Sequence, residues 1–359
     1  MKQIIEKLID KQDLTFEESR EVLDQILHGA DPVQVGAVLA LLRAKGETST
    51  EVSGMATAMV AACKNVPLPN RRILDIVGTG GDGAHTINIS TASVVLAAAA
   101  GCTVAKAGNR SVSSRCGSAD VLETLGVVVD LEPDEVVSCV HQTGIAFLFA
   151  PINHPSMKTV VPIRKSLGVR TVFNILGPLT NAAGAQRVVL GVFDESLVPL
   201  LAHALMEMGR VDHAIVLHGV GLDEISPLGP TTIVEIRNIN TTDTEKVYEQ
   251  KAYTFDPMDV GIPRCTIQDL QGGDPTQNAE EFRNVLQAGD HTNAKRDAIV
   301  LNAGVGIYVY GLADSIAQGI DLARSTLTRG GAESLLQKWI EVSQEIRHKT
   351  KVAGHTKQE

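Results

Sequence analysis

The sequence predicts an α/β protein: a small N-terminal helical bundle followed by a large α/β domain with a mainly parallel central sheet. Three observations carry this. Residues 1–63 repeat their apolar positions at helical spacing and hold no strand pattern. From residue 73 onward, short β-rich runs alternate with helix-like segments. Aromatic residues make up only 3% of the 359-residue chain, which favours helices packed closely on a buried sheet over an aromatic-rich binding surface.

The helical part is read from its start and stop signals. Thr15 and Glu18 form a capping box ahead of "SREVLDQILHG", which Gly29 ends. Asp31-Pro32 reads as an N-cap followed by proline at the first helical position, opening "VQVGAVLALLRAKG". Thr48 and Glu51 repeat the capping box before "VSGMATAMVAAC". The polar, proline-containing stretch "KNVPLPNRR" (64–72) is the first domain boundary.

Strands are expected at 73–77, 103–108, 127–131, 145–151, 187–193 and 214–219, with helices at 89–100, 117–125 and 195–208. Alternation of this kind implies parallel strands joined by helical crossovers. "TTIVEIRN" and "KVYEQKAYTFD" read as an antiparallel excursion. "DAIVLNAGVGIYVYG" and "GAESLLQKWIEVSQEI" read as closing helices, with the last ten residues frayed.

The composition excludes several function classes. A net charge of −10 argues against a nucleic-acid partner bound over a broad basic face. No apolar run reaches membrane-spanning length without small polar breaks, so no membrane partner is expected. The five cysteines (63, 102, 116, 139, 265) show no CxxC and read as reduced thiols, consistent with the cytoplasm. The amphipathic, acidic N-terminus has neither a signal-peptide core nor a transit pattern.

The stretch "DIVGTGGDGAHTINIST" (75–91) places a glycine loop between a strand and a helix start. That is the geometry of an anion site, because bare backbone N–H groups and the helix N-terminus converge on it. Asn88 and Ser90 are N-cap residue types for the helix that follows. Gly78-x-Gly80-x-x-Gly83 matches the dinucleotide fingerprint, but that reading requires an acidic residue ending the next strand to hold a ribose diol. The next strand instead ends in Lys106, Asn109 and Arg110, followed by Ser111, Ser113 and Ser114. A cation and a row of hydroxyls suit phosphate, so NAD is rejected and one extended polyphosphate across two adjacent loops is preferred.

"GTGGD", "NIST", "GNRSVSSRCGSADVLETLG", "FLFAPINHPSMK" and "RKSLGVRTVFNILGPLTN" together resemble the anthranilate phosphoribosyltransferase family, from the N-terminal helices to about residue 330. The resemblance implies a nucleoside phosphorylase-like phosphoribosyltransferase fold. Its domains are a helical one at 1–66, joined by part of 155–185, and a phosphoribosyl-transfer domain at 70–350. It also implies a homodimer, Mg²⁺ as cofactor, phosphoribosyl pyrophosphate (PRPP) as donor and anthranilate as acceptor, in tryptophan biosynthesis.

Carried over residue by residue, the donor is lined by Gly78, Gly81, Asp82, Thr86, Asn88, Ile89, Ser90 and Thr91. The remaining donor contacts are Lys106, Ala107, Gly108, Asn109, Arg110, Ser111, Val112, Ser113, Ser114 and Ser118. Gly78, Asn109 and Arg164 fall to anthranilate, the arginine pairing with its carboxylate, while Arg170 and Lys165 are surface counterparts. Asp223 and Glu224 follow a sheet strand and, with Ser90, are the metal ligands. His154 and Pro155 shape the acceptor channel. No general base is named, because an aromatic amine is already neutral at pH 7.

The chain departs from the family pattern at 107, where Lys106-Ala107-Gly108-Asn109 stands for Lys-His-Gly-Asn, and at Ala182, where proline is common. Two rival readings remain: a pyrimidine nucleoside phosphorylase of the same fold, and a weak or silent binding relative in which Ala107 has removed activity. Arg164 and the full GTGGD loop oppose the first; Asp223-Glu224 and the acidic charge oppose the second.

Overall fold

The computed structural model describes residues 1–69, 72–111, 115–240 and 246–355, the side chains of 353–355 excepted. The chain opens with α1 (Lys2–Ile9), α2 (Phe16–Leu27), α3 (Pro32–Lys45) and α4 (Ser49–Ala61). Both capping boxes form: Thr15 Oγ1 accepts from Glu18 N, and Thr48 Oγ1 from Glu51 N, each at 3.2 Å. Asp31 caps α3 through Val33 N and Gln34 N. The buried Glu51 also accepts from Leu14 N and pairs with Lys45 at 2.9 Å, so one carboxylate ties α3 and α4 to the loop between α1 and α2.

The chain then alternates through β1 (Leu74–Gly78), α5 (Ile89–Ala99), β2 (Val104–Gly108), α6 (Ser118–Leu125), α7 (Pro133–Thr143) and β3 (Ile145–Phe149). Three short helices follow, α8 (Ala150–Asn153), α9 (Val161–Leu167) and α10 (Phe173–Leu176), then β4 (Arg187–Gly191), α11 (Leu197–Met208) and β5 (His213–Gly219). The antiparallel excursion is β6 (Thr231–Asn238) and β7 (Tyr248–Phe255). Helices α12 (Ile267–Leu270), α13 (Pro275–Leu286), α14 (Ala294–Tyr310), α15 (Ile316–Thr328) and α16 (Gly331–His355) complete the fold.

The sheet order is β3-β2-β1-β4-β5-β6-β7, with β1 to β5 parallel and β6 and β7 antiparallel. The order reverses at β1, so β1, β2 and β4 present their carboxyl ends at a switch point, where such sheets hold ligands. Helix α5 packs on β1 and β2, α14 on β1 and β4, and the two on each other, while α11 packs on β5 and β6. The chain returns to the bundle midway: α9 packs against α3, the turn Pro155–Thr159 against α2, and α10 against α4. Glu207 of α11 accepts from the hydroxyls of Ser49, Thr50 and Ser53, fastening α4 to the sheet side.

Three expectations are corrected. The run 127–131 is not a strand. Val127, Val129 and Leu131 are buried as the β-rich pattern demands, but α16 supplies its polar partners: Val128 N donates to Ser343 Oγ, and Arg347 Nη2 to the Asp130 carbonyl. The strand expected at 145–151 ends at Phe149, because Pro151 sits in the first turn of α8. Helix α16 runs to His355, so part of the expected frayed tail is helical.

Candidate active site

Past β1, the loop is built on three glycines in the left-handed region, Gly80 (φ +66°), Gly81 (φ +78°) and Gly83 (φ +74°). Thr79 N donates to Gly191 O, Ala84 N to Asp82 Oδ1 and Ile87 N to Leu270 O, fixing the loop along its length. Asn88 stands at the N-cap of α5 but does not cap it with its side chain. That side chain donates to Cys116 O and accepts from Asn278 Nδ2, joining the glycine loop to the loop after β2. Ser90 is likewise not the cap; it lies inside the first turn, and its N–H donates to Glu224 Oε1 at 3.1 Å.

Asp223 and Glu224 reach this point because the chain beyond β5 turns back through a Gly219–Leu222 bridge. Asp223 Oδ2 accepts from Gly80 N at 2.6 Å. The approach is possible only where neighbouring strands lack side chains: a Cβ on Gly78 would stand 2.1 Å from Asp223 Oδ2, and one on Gly191 1.5 Å from the Asp223 carbonyl. Asn302, a lone amide in the apolar α14, locks the next residue by donating to Ile225 O and accepting from Ile225 N. Both carboxylates are sunk in the crevice yet part-exposed to it. Desolvation, with Asp82 adding like charge, raises Asp223 from 3.8 to about 7. Desolvation and Asp223 raise Glu224 as well.

Lys106 is placed differently from the sequence expectation. It is 1% exposed, and its ammonium donates to Ile76 O (2.8 Å) and Ser90 Oγ (3.4 Å), beneath the loop rather than facing its mouth. Burial pulls its pKa down while Asp75, Glu224 and Asp223 hold it up. Arg110 is likewise already engaged, by carboxylates of the protein itself. It forks onto Glu123 at 2.5 and 2.7 Å and also meets Asp120. Of the other residues in that loop, Ser118 Oγ accepts from Thr91 Oγ1 at 3.0 Å, and Ser111 N donates to Asp120 Oδ2. Val112, Ser113 and Ser114 lie outside the described residues.

Arg164 projects from α9 over the Phe173 ring, 5.6 Å from its centroid, and faces no carboxylate among the described residues. Desolvation accordingly lowers its pKa. His154, expected to line the channel, bonds Thr180 O through Nε2 and ties down the 180–184 connection; burial lowers its pKa. Sequence reasoning missed Asp75. This carboxylate, 1% exposed, accepts from Ala107 N and from Asn181 Nδ2 (2.7 Å). A lone acid in an otherwise apolar strand was the available signal. Arg170, read as a surface counterpart, is exposed and donates to the Gly81 carbonyl.

Among the described residues no group of three or more His, Cys, Asp or Glu side chains forms a metal cage. The carboxylates nonetheless fit Mg²⁺, which takes one or two of them and completes its shell with phosphate oxygens and water. Two crowded, partly desolvated acids with raised pKa values are a site that a cation stabilises.

Residues 70–333 match the family model "Glycosyl transferase family, a/b domain", and residues 2–63 match "Glycosyl transferase family, helical bundle domain". The chain belongs to this glycosyl transferase family. It is 48% identical to the anthranilate phosphoribosyltransferase of Natronomonas pharaonis over 94% of this chain and 98% of that one. The Haloferax volcanii anthranilate phosphoribosyltransferase is 46% identical over 93% and 98%. The crystal structure of the Thermus thermophilus anthranilate phosphoribosyltransferase superposes with a TM-score of 0.87 at 40% identity, covering 95% of this chain and 99% of that chain. The Saccharomyces cerevisiae anthranilate phosphoribosyltransferase in complex with PRPP and Mg gives 0.85 at 27% identity, covering 96% and 97%. Within the family, the chain's place is among the anthranilate phosphoribosyltransferases.

Proposed function

We propose that this protein transfers the 5-phosphoribosyl group of PRPP to the amine of anthranilate, giving N-(5-phosphoribosyl)anthranilate and pyrophosphate in tryptophan biosynthesis. The observation that carries the reading is the meeting of the glycine loop with the Asp223-Glu224 pair at the sheet's switch point. The yeast relative, bound to PRPP and Mg, supports the same ligands here.

Asp223, Glu224 and the Ser90 hydroxyl would hold Mg²⁺. When bound there, Mg²⁺ neutralises charge on the leaving group. The left-handed glycines open the backbone to phosphate oxygens, and the start of α5 adds its partial positive charge. Lys106 fixes the Ser90 hydroxyl and balances the acids from below. Arg164, whose charge faces no protein carboxylate among the described residues, takes the anthranilate carboxylate, with Gly78 and Asn109 bordering the amine. Position and charge stabilisation then suffice, because the attacking amine is already neutral.

We further propose a cytoplasmic homodimer. The family resemblance implies the second copy, and all five cysteines lie outside any disulfide. No helix among the described residues is long and apolar enough to cross a membrane.

Loss of anthranilate fluorescence on addition of PRPP and Mg²⁺ tests the reaction, with Ala107→His assayed alongside. Phosphorolysis of thymidine or uridine in place of that signal would overturn it.

A further inference from the structure

The loop that meets the donor is tied down along most of its length, and each tie has a visible source. Gly80 N goes to Asp223, Ala84 N to Asp82, and Ile87 N to Leu270. Gly81 stands between these anchors in the left-handed region, and its carbonyl receives one side chain, the Arg170 guanidinium, at 2.5 Å.

Arg170 is itself held. Its guanidinium lies 4.0 Å from the Phe193 ring centroid, and Phe193 N donates to Thr79 Oγ1, so the shelf beneath the arginine is bonded to the first loop residue. No carboxylate pairs with Arg170 among the described residues, in contrast to Arg110 with its two acids. Its exposed guanidinium therefore has the Gly81 carbonyl, and no carboxylate among the described residues, as its side-chain partner.

A trans peptide fixes the consequence. The carbonyl of one residue and the N–H of the next lie in one plane and point in opposite directions within it. Holding the Gly81 carbonyl on Arg170 directs the Asp82 N–H away from Arg170. That N–H has no partner among the described residues, and it is a donor of the kind that cradles phosphate.

We infer that Arg170 is a positioning residue for the donor. It sets the Gly81–Asp82 peptide so that the loop presents the Asp82 N–H to the pyrophosphate. Arg170 lies six positions beyond Arg164, between α9 and α10. This rests on the phosphoribosyl-transfer reading above.

The test is steady-state kinetics and calorimetry on the full chain carrying Arg170→Ala, Arg170→Lys or Phe193→Leu, with PRPP and Mg²⁺ as the probe. Arg170→Ala is expected to raise the KM for PRPP at least tenfold. It should leave the KM for anthranilate within twofold and the melting temperature unchanged. Arg170→Lys restores the charge but not the planar fork and recovers only part of the loss; Phe193→Leu shifts the same KM by a smaller factor. An unchanged PRPP KM in Arg170→Ala, or an equal rise for both substrates, overturns the inference. Failure of the wild-type protein to bind PRPP in calorimetry overturns the functional reading itself, so the two failures are distinguishable.

Discussion

Gly78 and Asp223 occupy one another's space: the position a Cβ would take on the glycine is 2.1 Å from the carboxylate oxygen. Gly78→Ala therefore displaces Asp223 from Gly80 N. Turnover is expected to fall by roughly 30-fold or more, about 2 kcal/mol of transition-state stabilisation, measured as kcat/KM for PRPP. Retained activity would show that Asp223 moves without consequence.

The double substitution Asp223→Asn, Glu224→Gln is expected to abolish Mg²⁺-dependent turnover. The amides keep an oxygen for Gly80 N and Ser90 N while removing two repelling charges. The melting temperature without Mg²⁺ should equal or exceed that of the wild type, as read by calorimetry.

Arg164→Ala is expected to raise the KM for anthranilate more than tenfold and that for PRPP less than twofold. Because the guanidinium is largely desolvated with no facing carboxylate among the described residues, its removal should leave the melting temperature level or higher. Equal effects on both substrates would contradict the assignment.

Burial pushes Asp75 from 3.8 up to about 6, against the attraction of Lys106. The folded state thus keeps a proton that the unfolded chain releases. The contribution of this group to stability is full below about pH 4 and is lost as pH rises through about 6, a swing of roughly 3 kcal/mol. Denaturation midpoints measured from pH 4 to 7 should flatten in Asp75→Asn; an unchanged pH dependence would assign the titration elsewhere.

What was legible in the sequence was local. The caps at Thr15, Asp31 and Thr48 formed as read, because each requires only residues two or three positions away. The run 127–131 misled because its burial comes from α16, more than 200 residues on, and not from a sheet. Lys106 and Arg110 were read from the family resemblance and from their charge. Which cation is buried and which is neutralised depends on Asp75, Glu123 and the path of the strands, and none of these is a matter of spacing. Asp75 itself lay in view within "LDIVG" and carried the one signal that could have been used, a charge where the pattern asks for a valine.

The bond from Gly80 to Asp223 joins positions 143 residues apart. A growing polypeptide that has finished its first strand but not its fifth owns the cradle without its acids. Donor capture then begins only when the last parallel strand docks, so recovery of PRPP affinity during refolding clocks completion of the sheet, and the donor selectively stabilises molecules that have reached it.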